Sequence, residues 1–293
     1  MHRLLQLHEN TVTLKIMSLF IASLNSGSNG NCYYIGNDNE AVLIDAGISC
    51  RETEKRMKRL GLMIGKVKAV FVSHEHTDHI NGISTISNKF KLPVYITTGT
   101  LRHSGLSIAE HLIVPFVANK PVMIGNLSIK AFTKCHDADD PHSFIVESNA
   151  VKVGVITDIG VACEQVIHHF KQCHAAFLES NYDETMLATG NYPYHLKKRI
   201  SGGNGHLSNT QALDLFVTHR PSFMTHLVLS HLSKNNNNPQ IVEDLFAPHS
   251  GATKIIVASR YEETSVYEVS GSINPVMQKD RKIIKHAQQL AMF

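Results

Sequence analysis

Six consecutive residues, His74-Glu75-His76-Thr77-Asp78-His79, constrain this chain more than anything else in it. They follow Ala69-Val70-Phe71-Val72-Ser73, an apolar, β-branched and aromatic run that reads as a buried strand. Imidazole nitrogen and carboxylate oxygen are the donors that suit zinc, manganese or iron. In an extended segment, residues two apart face the same way, so His74 and His76 can grip one ion together. If the chain then turns into a helix, Asp78 and His79 swing to another side and can grip a second. The chain holds 19 histidines in 293 residues, so a lone His-X-His pair would carry little weight. The full string at the end of an apolar strand reads as a two-metal hydrolytic site.

The remaining composition narrows the setting. A formal charge of +3 neither demands nor excludes a nucleic-acid partner. No window approaches the ~20 uninterrupted apolar residues of a membrane span, and the N-terminus lacks a secretory pattern. Five scattered cysteines, odd in number and without Cys-X-X-Cys, fit a reducing compartment, the cytoplasm. Met17 offers an alternative start, which makes residues 1–16 an upstream extension of a single domain at 17–293.

Expected strands fall at 18–24, 32–36, 41–45, 68–73, 93–97, 113–117, 127–134, 143–148, 151–157, 175–179, 225–230, 253–258 and 264–270. Expected helices fall at 51–61, 79–90, 98–104, 161–171, 208–219, 238–247 and 280–290. Early strands follow one another through turn residues (Gly36-Asn37-Asp38-Asn39 and Ser148-Asn149) and read as antiparallel hairpins. Later strands are separated by helices. Together they predict an α/β (α+β) chain of two face-to-face sheets with helices outside, four layers in all.

Further metal donors stand at other strand ends: Asp45 after Val42-Leu43-Ile44, His136 after Ala131-Phe132-Thr133, Asp158 after Val155-Ile156-Thr157, and His231 after Val228-Leu229-Ser230. Rigid strand ends are where a site of tight geometry is best held. Cys135, beside His136, reads as a small buried hydrophobe rather than a ligand.

The ordered series Asp45, His74–His79, His136, Asp158, His231 resembles the five motifs of the metallo-β-lactamase superfamily over about residues 18–270. The resemblance implies the αββα sandwich and a centre of two divalent ions, zinc or manganese. It implies that His74, His76 and His136 hold one ion, that Asp78, His79 and His231 hold the other, and that Asp158 bridges them. Asp45 would accept the outer N–H of a ligating imidazole. Segments 26–32, 178–183, 192–200 and 205–209 are similar to the YycJ/WalJ group, which implies a 5′→3′ exonuclease on duplex DNA. The group is related to RNase Z, whose Glu-plus-His pairing is similar to Glu179 and His206.

On this reading two ions ~3.5–4 Å apart hold a bridging hydroxide that attacks phosphorus. His206 would protonate the leaving oxygen, with Glu179 orienting it. Tyr192, Tyr194, Lys197, Lys198 and Arg199 interleave aromatics with positive charge, which suits stacking on nucleic acid and backbone neutralisation. The loop 26–31, with Ser28 and Asn29 at its tip, reads either as a backbone cradle for phosphate or as a plain tight turn. The basic segment Arg51–Arg59 reads as a solvated helix face. The expected partner is nucleic acid, duplex DNA ahead of RNA, with no membrane. The alternatives are a thioester or lactone hydrolase on the same scaffold and RNase Z-like RNA processing. The 72 residues between Asp158 and His231 leave no room for an inserted β-CASP domain.

Overall fold

The computed structural model describes residues 18–271. The extension 1–16 and the helix expected at 280–290 lie outside them. In chain order the strands are β1 (Leu19–Asn25), β2 (Cys32–Gly36), β3 (Ala41–Ile44), β4 (Val67–Phe71), β5 (Val94–Ile96), β6 (Ile113–Pro115), β7 (Val122–Ile124), β8 (Leu127–Thr133), β9 (His142–Ser148), β10 (Val151–Ile156), β11 (Ala175–Glu179), β12 (His226–Ser230), β13 (Lys254–Val257) and β14 (Tyr267–Val269). The helices are α1 (Cys50–Arg59), α2 (Thr77–Ile80), α3 (Ile83–Phe90), α4 (Thr98–Ser104), α5 (Glu164–Phe170), α6 (Glu184–Thr189), α7 (Tyr194–Ile200), α8 (Asn209–His219) and α9 (Pro239–Phe246).

The strands form two seven-stranded sheets, ordered β14-β1-β2-β3-β4-β5-β6 and β13-β12-β11-β10-β9-β8-β7. In each sheet one half is antiparallel and the other parallel: β1, β2 and β3 pair antiparallel before β3 to β6 run parallel. β7 to β10 pair antiparallel before β10 to β13 run parallel. Strand periodicity decides which side chains meet. Val151, Val153, Val155 and Phe177 point between the sheets, against Ile21, Tyr33 and Phe71 of the other sheet. Ile156, Ala176 and Leu178 point outward, under Val166 of α5, Leu215 of α8 and Val242 of α9. On the opposite face Leu43 and Val70 pack with Met57 of α1 and Ile86 of α3. This is the expected αββα arrangement.

Capping residues start the helices where the sequence places them. Ser49 accepts from Glu52 N at α1, Asn238 caps α9 ahead of Pro239, and Ser208 with Gln211 forms a capping box at α8. Three expectations need correction. The single helix at 79–90 is two, α2 and α3, because Gly82 lies against the Ile48 carbonyl and donates its N–H to Ala46 O at 2.7 Å. β7, α6 and α7 are additional, and each is too short to show its periodicity. Arg56 is not on a solvated face: it is 6% exposed and donates to Leu24 O and Asn25 Oδ1 at 2.8 Å and to Tyr261 O at 2.9 Å. It pins α1 to the end of β1 and to the chain beyond β13.

Candidate metal centre

Strand tips and one short helix build the site. The chain leaves β4 through Ser73 and His74 and enters α2, with His76 as the residue preceding its first turn. Gly47, at the tip of β3, touches Asp78 O so closely that any Cβ would collide with it. Only glycine lets β3 approach α2, and that approach brings Asp45 under the histidines. Asp45, Asp158 and His231 all have left-handed backbones, with φ of 60°, 53° and 58°. Each turns a strand tip back toward the centre, a conformation that costs of order 1–3 kcal/mol and clusters at functional sites.

His74 Nε2, His76 Nδ1 and His136 Nε2 converge, at 3.0 Å between the first two and 3.3 Å between the last two. A second group joins Asp78, His79 and His231, with His231 Nε2 at 3.4 Å and His79 Nε2 at 3.6 Å from Asp78 Oδ2. Asp158 stands between them, with Oδ2 3.2 Å from His79 Nε2 and Oδ1 4.0 Å from His136 Nε2. The seven residues expected as ligands therefore converge, and the expected threes are two of four groupings close enough to hold an ion, the others being His74/His79/Asp158 and Asp158/Glu179/His206/His231. Cys135 belongs to none of these groups and is half-buried past the end of β8 rather than within it.

The outer nitrogens decide which lone pairs face inward. His136 Nδ1 lies 3.0 Å from Gly205 O, which can only accept, so the proton is on Nδ1 and Nε2 offers its lone pair. His79 Nδ1 donates to Asp45 Oδ2 at 2.7 Å. Ser73 Oγ donates to Asp45 Oδ2 at 2.7 Å and accepts from His74 Nδ1 at 2.8 Å. One buried carboxylate thus orients an imidazole of each three, His79 directly and His74 through a serine.

The donor set fits divalent cations. Asp158 Oδ2 is buried without a hydrogen bond, although His79 Nε2 lies 3.2 Å away. With His79 Nδ1–H committed to Asp45, the second proton that the neighbouring carboxylates favour on this ring sits on Nε2, facing Asp158, in the place a divalent cation would take. Electrostatics agree. Burial pushes the His74 pKa well below the ordinary value and brings His136 down to about 4, so both are neutral ligands at pH 7. Burial also opposes charge on His79, but Asp158, Asp78 and Asp45 outweigh it and raise its pKa to about 10. Burial disfavours the Asp78 carboxylate, yet His79 and His231 hold its pKa down to about 2. The carboxylates of the second group call for positive charge beside them.

Glu179, at the tip of β11, is wholly buried. Its Oε1 accepts from His206 Nδ1 at 2.7 Å and His231 Nδ1 at 3.0 Å, and its Oε2 accepts from Ile159 N at 2.8 Å and Leu207 N at 3.2 Å. Burial works against its charge, but the two imidazoles bring its pKa to about 2. With His206 Nδ1 committed to Glu179, Nε2 is the nitrogen left for other chemistry, and the side chain is 21% exposed.

The outer residues divide. Tyr194 is 79% exposed and Lys198 is open to solvent. Arg199 Nε instead pairs with Asp137 Oδ2 at 2.5 Å, and Lys197 Nζ donates to Ala188 O at 2.6 Å. In the loop 26–31, the N–H groups of residues 26, 27, 30 and 31 are spent on Ser259 O, Asn31 Oδ1, Gly27 O and Asp78 O. Those four donors are spent within the fold, which leaves the Ser28 and Asn29 N–H groups at the loop tip as the ones a phosphate could reach. Ser28 and Asn29 remain exposed, with Asn29 Nδ2 tied to Arg260 O at 2.8 Å.

Four contributors carry no expectation from sequence. Ser73 is the relay to Asp45. Asn31 Nδ2 reaches Asp78 Oδ2 at 3.1 Å, and Asn181 Nδ2 reaches His231 O at 2.8 Å. Lys134 is 7% exposed and donates to Thr157 O at 2.8 Å, a buried cation beneath the carboxylates. Its signal was a lysine closing an apolar strand two residues before His136.

A fold of two sheets with this His/Asp cluster at its strand tips defines a metal-dependent hydrolase of the metallo-β-lactamase type. The model of the family described as "Beta-lactamase superfamily domain" matches residues 40–231, and the chain belongs to that family. It is 34% identical to exodeoxyribonuclease YycJ of Bacillus anthracis over 233 residues, covering 77% of this chain and 86% of that one. It is 27% identical to exodeoxyribonuclease WalJ of Streptococcus pneumoniae over 222 residues, 73% of this chain and 81% of that one. Among solved structures, the metallo-β-lactamase fold protein YhfI from Bacillus subtilis superposes with a TM-score of 0.66 at 15% identity, over 86% of this chain and 99% of that one. Human tRNase Z, short form, gives 0.56 at 15% identity, over 85% and 99%. These two share the fold. Among the described residues no helix is long and apolar enough to cross a membrane.

Proposed function

We propose that this chain is a DNA exonuclease that degrades duplex DNA 5′→3′ with two divalent ions, zinc or manganese. The observation that carries the reading is the pair of donor groups, His74/His76/His136 and Asp78/His79/His231, facing each other across the unpaired Asp158 Oδ2. In this assignment each three would hold one ion, with Asp158 within reach of both. Bound ions would supply Lewis acidity toward the phosphate and acidify a water.

The chain's own groups do the rest. Asp45, directly and through Ser73, keeps His79 and His74 in the tautomer whose inner nitrogen is free. Glu179 does the same for His231 and His206. His206 is the general acid: with Nδ1–H held by Glu179, a proton on Nε2 can pass to the leaving oxygen. Tyr194 offers a stacking face and Lys198 a free cation for the strand. The YycJ and WalJ relatives, named as exodeoxyribonucleases, support DNA as substrate.

The test is digestion of 5′- and 3′-labelled duplex, single-stranded DNA and RNA by protein loaded with zinc or manganese. Mononucleotide release from the 5′ end of duplex is expected. Turnover of a thioester or nitrocefin with DNA left intact would overturn the assignment.

A further inference from the structure

A second concavity lies beside the metal centre, at the tip of β13. It encloses about 320 Å³ and is walled by Leu232, Val257, Lys234, Arg260 and Tyr261, with Ser26 at its inner edge. It is continuous with the centre through the chain itself. Leu232 follows His231, and the same Ser26 whose side chain lines the cavity accepts from His231 N at 2.7 Å. The centre occupies the tips of β10, β11 and β12, and this cavity occupies the next tip of the same parallel row. Ligands of such sheets gather at the carboxyl ends of the strands.

The walls state what fits. Leu232 and Val257 are apolar, Lys234 and Arg260 are cationic, and Glu243 is the single carboxylate, so the lining keeps a net positive charge. Tyr261 is 72% exposed, a large ring standing at the rim. Its backbone is clamped, because buried Arg56 donates to Tyr261 O at 2.9 Å and Ser26 N donates to Ser259 O at 3.1 Å. The Arg260 carbonyl is likewise held by Asn29. Arg260 Nη1 has no hydrogen-bond partner and is closed off from water. A buried donor left without an acceptor is destabilising. An oxyanion entering the cavity, with a small torsion of the side chain, would supply the missing acceptor. The volume is at the lower end of the ~300–1,000 Å³ of small-molecule sites, suited to one nucleotide and not to a duplex.

We infer that this cavity seats the nucleotide next to the scissile phosphate, its base on Tyr261 and its phosphate between Arg260 and Lys234. The inference rests on the nuclease reading and adds to it a nucleotide subsite with named walls. Ser26 then forms the wall shared by the two sites.

Binding without turnover tests it. Thymidine 5′-monophosphate is titrated into the full chain in EDTA by calorimetry, alongside 2-deoxyribose 5-phosphate and inorganic phosphate. Saturable binding is expected, weakened about tenfold by Tyr261→Ala, as for one stacked base, and about as much by Arg260→Met. Lys130→Met, on the far side of the second sheet, serves as a charge control and should bind as the parent does. Loss of base should weaken binding in the parent and not in Tyr261→Ala. No binding, equal binding by all variants, or equal binding of all three ligands by the parent would overturn the subsite. Failure of the metal-loaded parent to hydrolyse bis(p-nitrophenyl) phosphate would instead count against the nuclease reading, since that ester needs only the centre.

Discussion

The two halves of the centre are built by opposite means. The first sheet supplies four donors from one unbroken stretch, His74 to His79, with a single buried carboxylate, Asp45, behind them. The second sheet supplies His136, Asp158 and His231 one at a time, from the ends of β8, β10 and β12, with Glu179 of β11 behind His231 and His206. A contiguous motif needs only a strand that turns into a helix. A dispersed one needs four strand ends in register, and two of those tips, Asp158 and His231, hold left-handed backbones to aim inward. The first half is local chemistry and the second depends on the whole fold. Asp45 and Glu179 nevertheless play the same part, each fixing two imidazoles.

The sharpest way to break the comparison is to remove the residue that joins the halves. Asp158→Ala should lower DNA hydrolysis by ~10³-fold or more while the circular dichroism of the fold is kept; a loss under tenfold would mean that the halves act separately. Next come the two supporting carboxylates. Asp45→Asn and Glu179→Gln should each cost ~10–100-fold in metal affinity or rate. Asp45→Asn should show mainly in metal titration. Glu179→Gln should also move the pH–rate profile, because His206 loses its orienting partner. If the two variants behave identically in both assays, the division of labour fails. Ser73→Ala breaks only the indirect link to His74 and should cost ~10-fold in metal affinity, the low end of that range.

The smallest effect lies outside both halves and calibrates them. His169 is buried and its ring stacks 4.2 Å from that of Phe132. Burial, then His168, Lys130 and Lys152, lower its pKa to about 4. The neutral ring belongs to the fold, so its contribution is complete above the ordinary value of about 6.5 and is lost as pH falls through about 4. Urea unfolding of His169→Phe should therefore lose less stability than the parent between pH 6.5 and 4. Parallel curves would remove His169 from the account.

How much was legible follows from the same contrast. The string 74–79 and the apolar strands ending in Asp45, Asp158 and His231 can be read locally, because strand periodicity and a terminal polar residue are short-range signals. The ordering of those ends made the sandwich readable too. Ser73, Asn31 and Asn181 were not readable as contributors, since serine and asparagine beside a motif look the same whether or not they touch a ligand. Arg56 looked solvated because helix periodicity alone does not show that the end of β1 offers it two oxygens. Arg199 looked like a free cation until the fold placed Asp137 against it. The short α6 and α7 carry no periodicity, only the Asp183 cap and an exposed face.

The most direct measurement is metal stoichiometry. Native mass spectrometry of the chain reconstituted with Zn²⁺ or Mn²⁺ should show two ions per chain in the parent and fewer than two in Asp158→Ala. A parent that binds one ion or none under saturating metal, or an Asp158→Ala variant that still binds two, would contradict the claim that these seven side chains form a single two-ion centre.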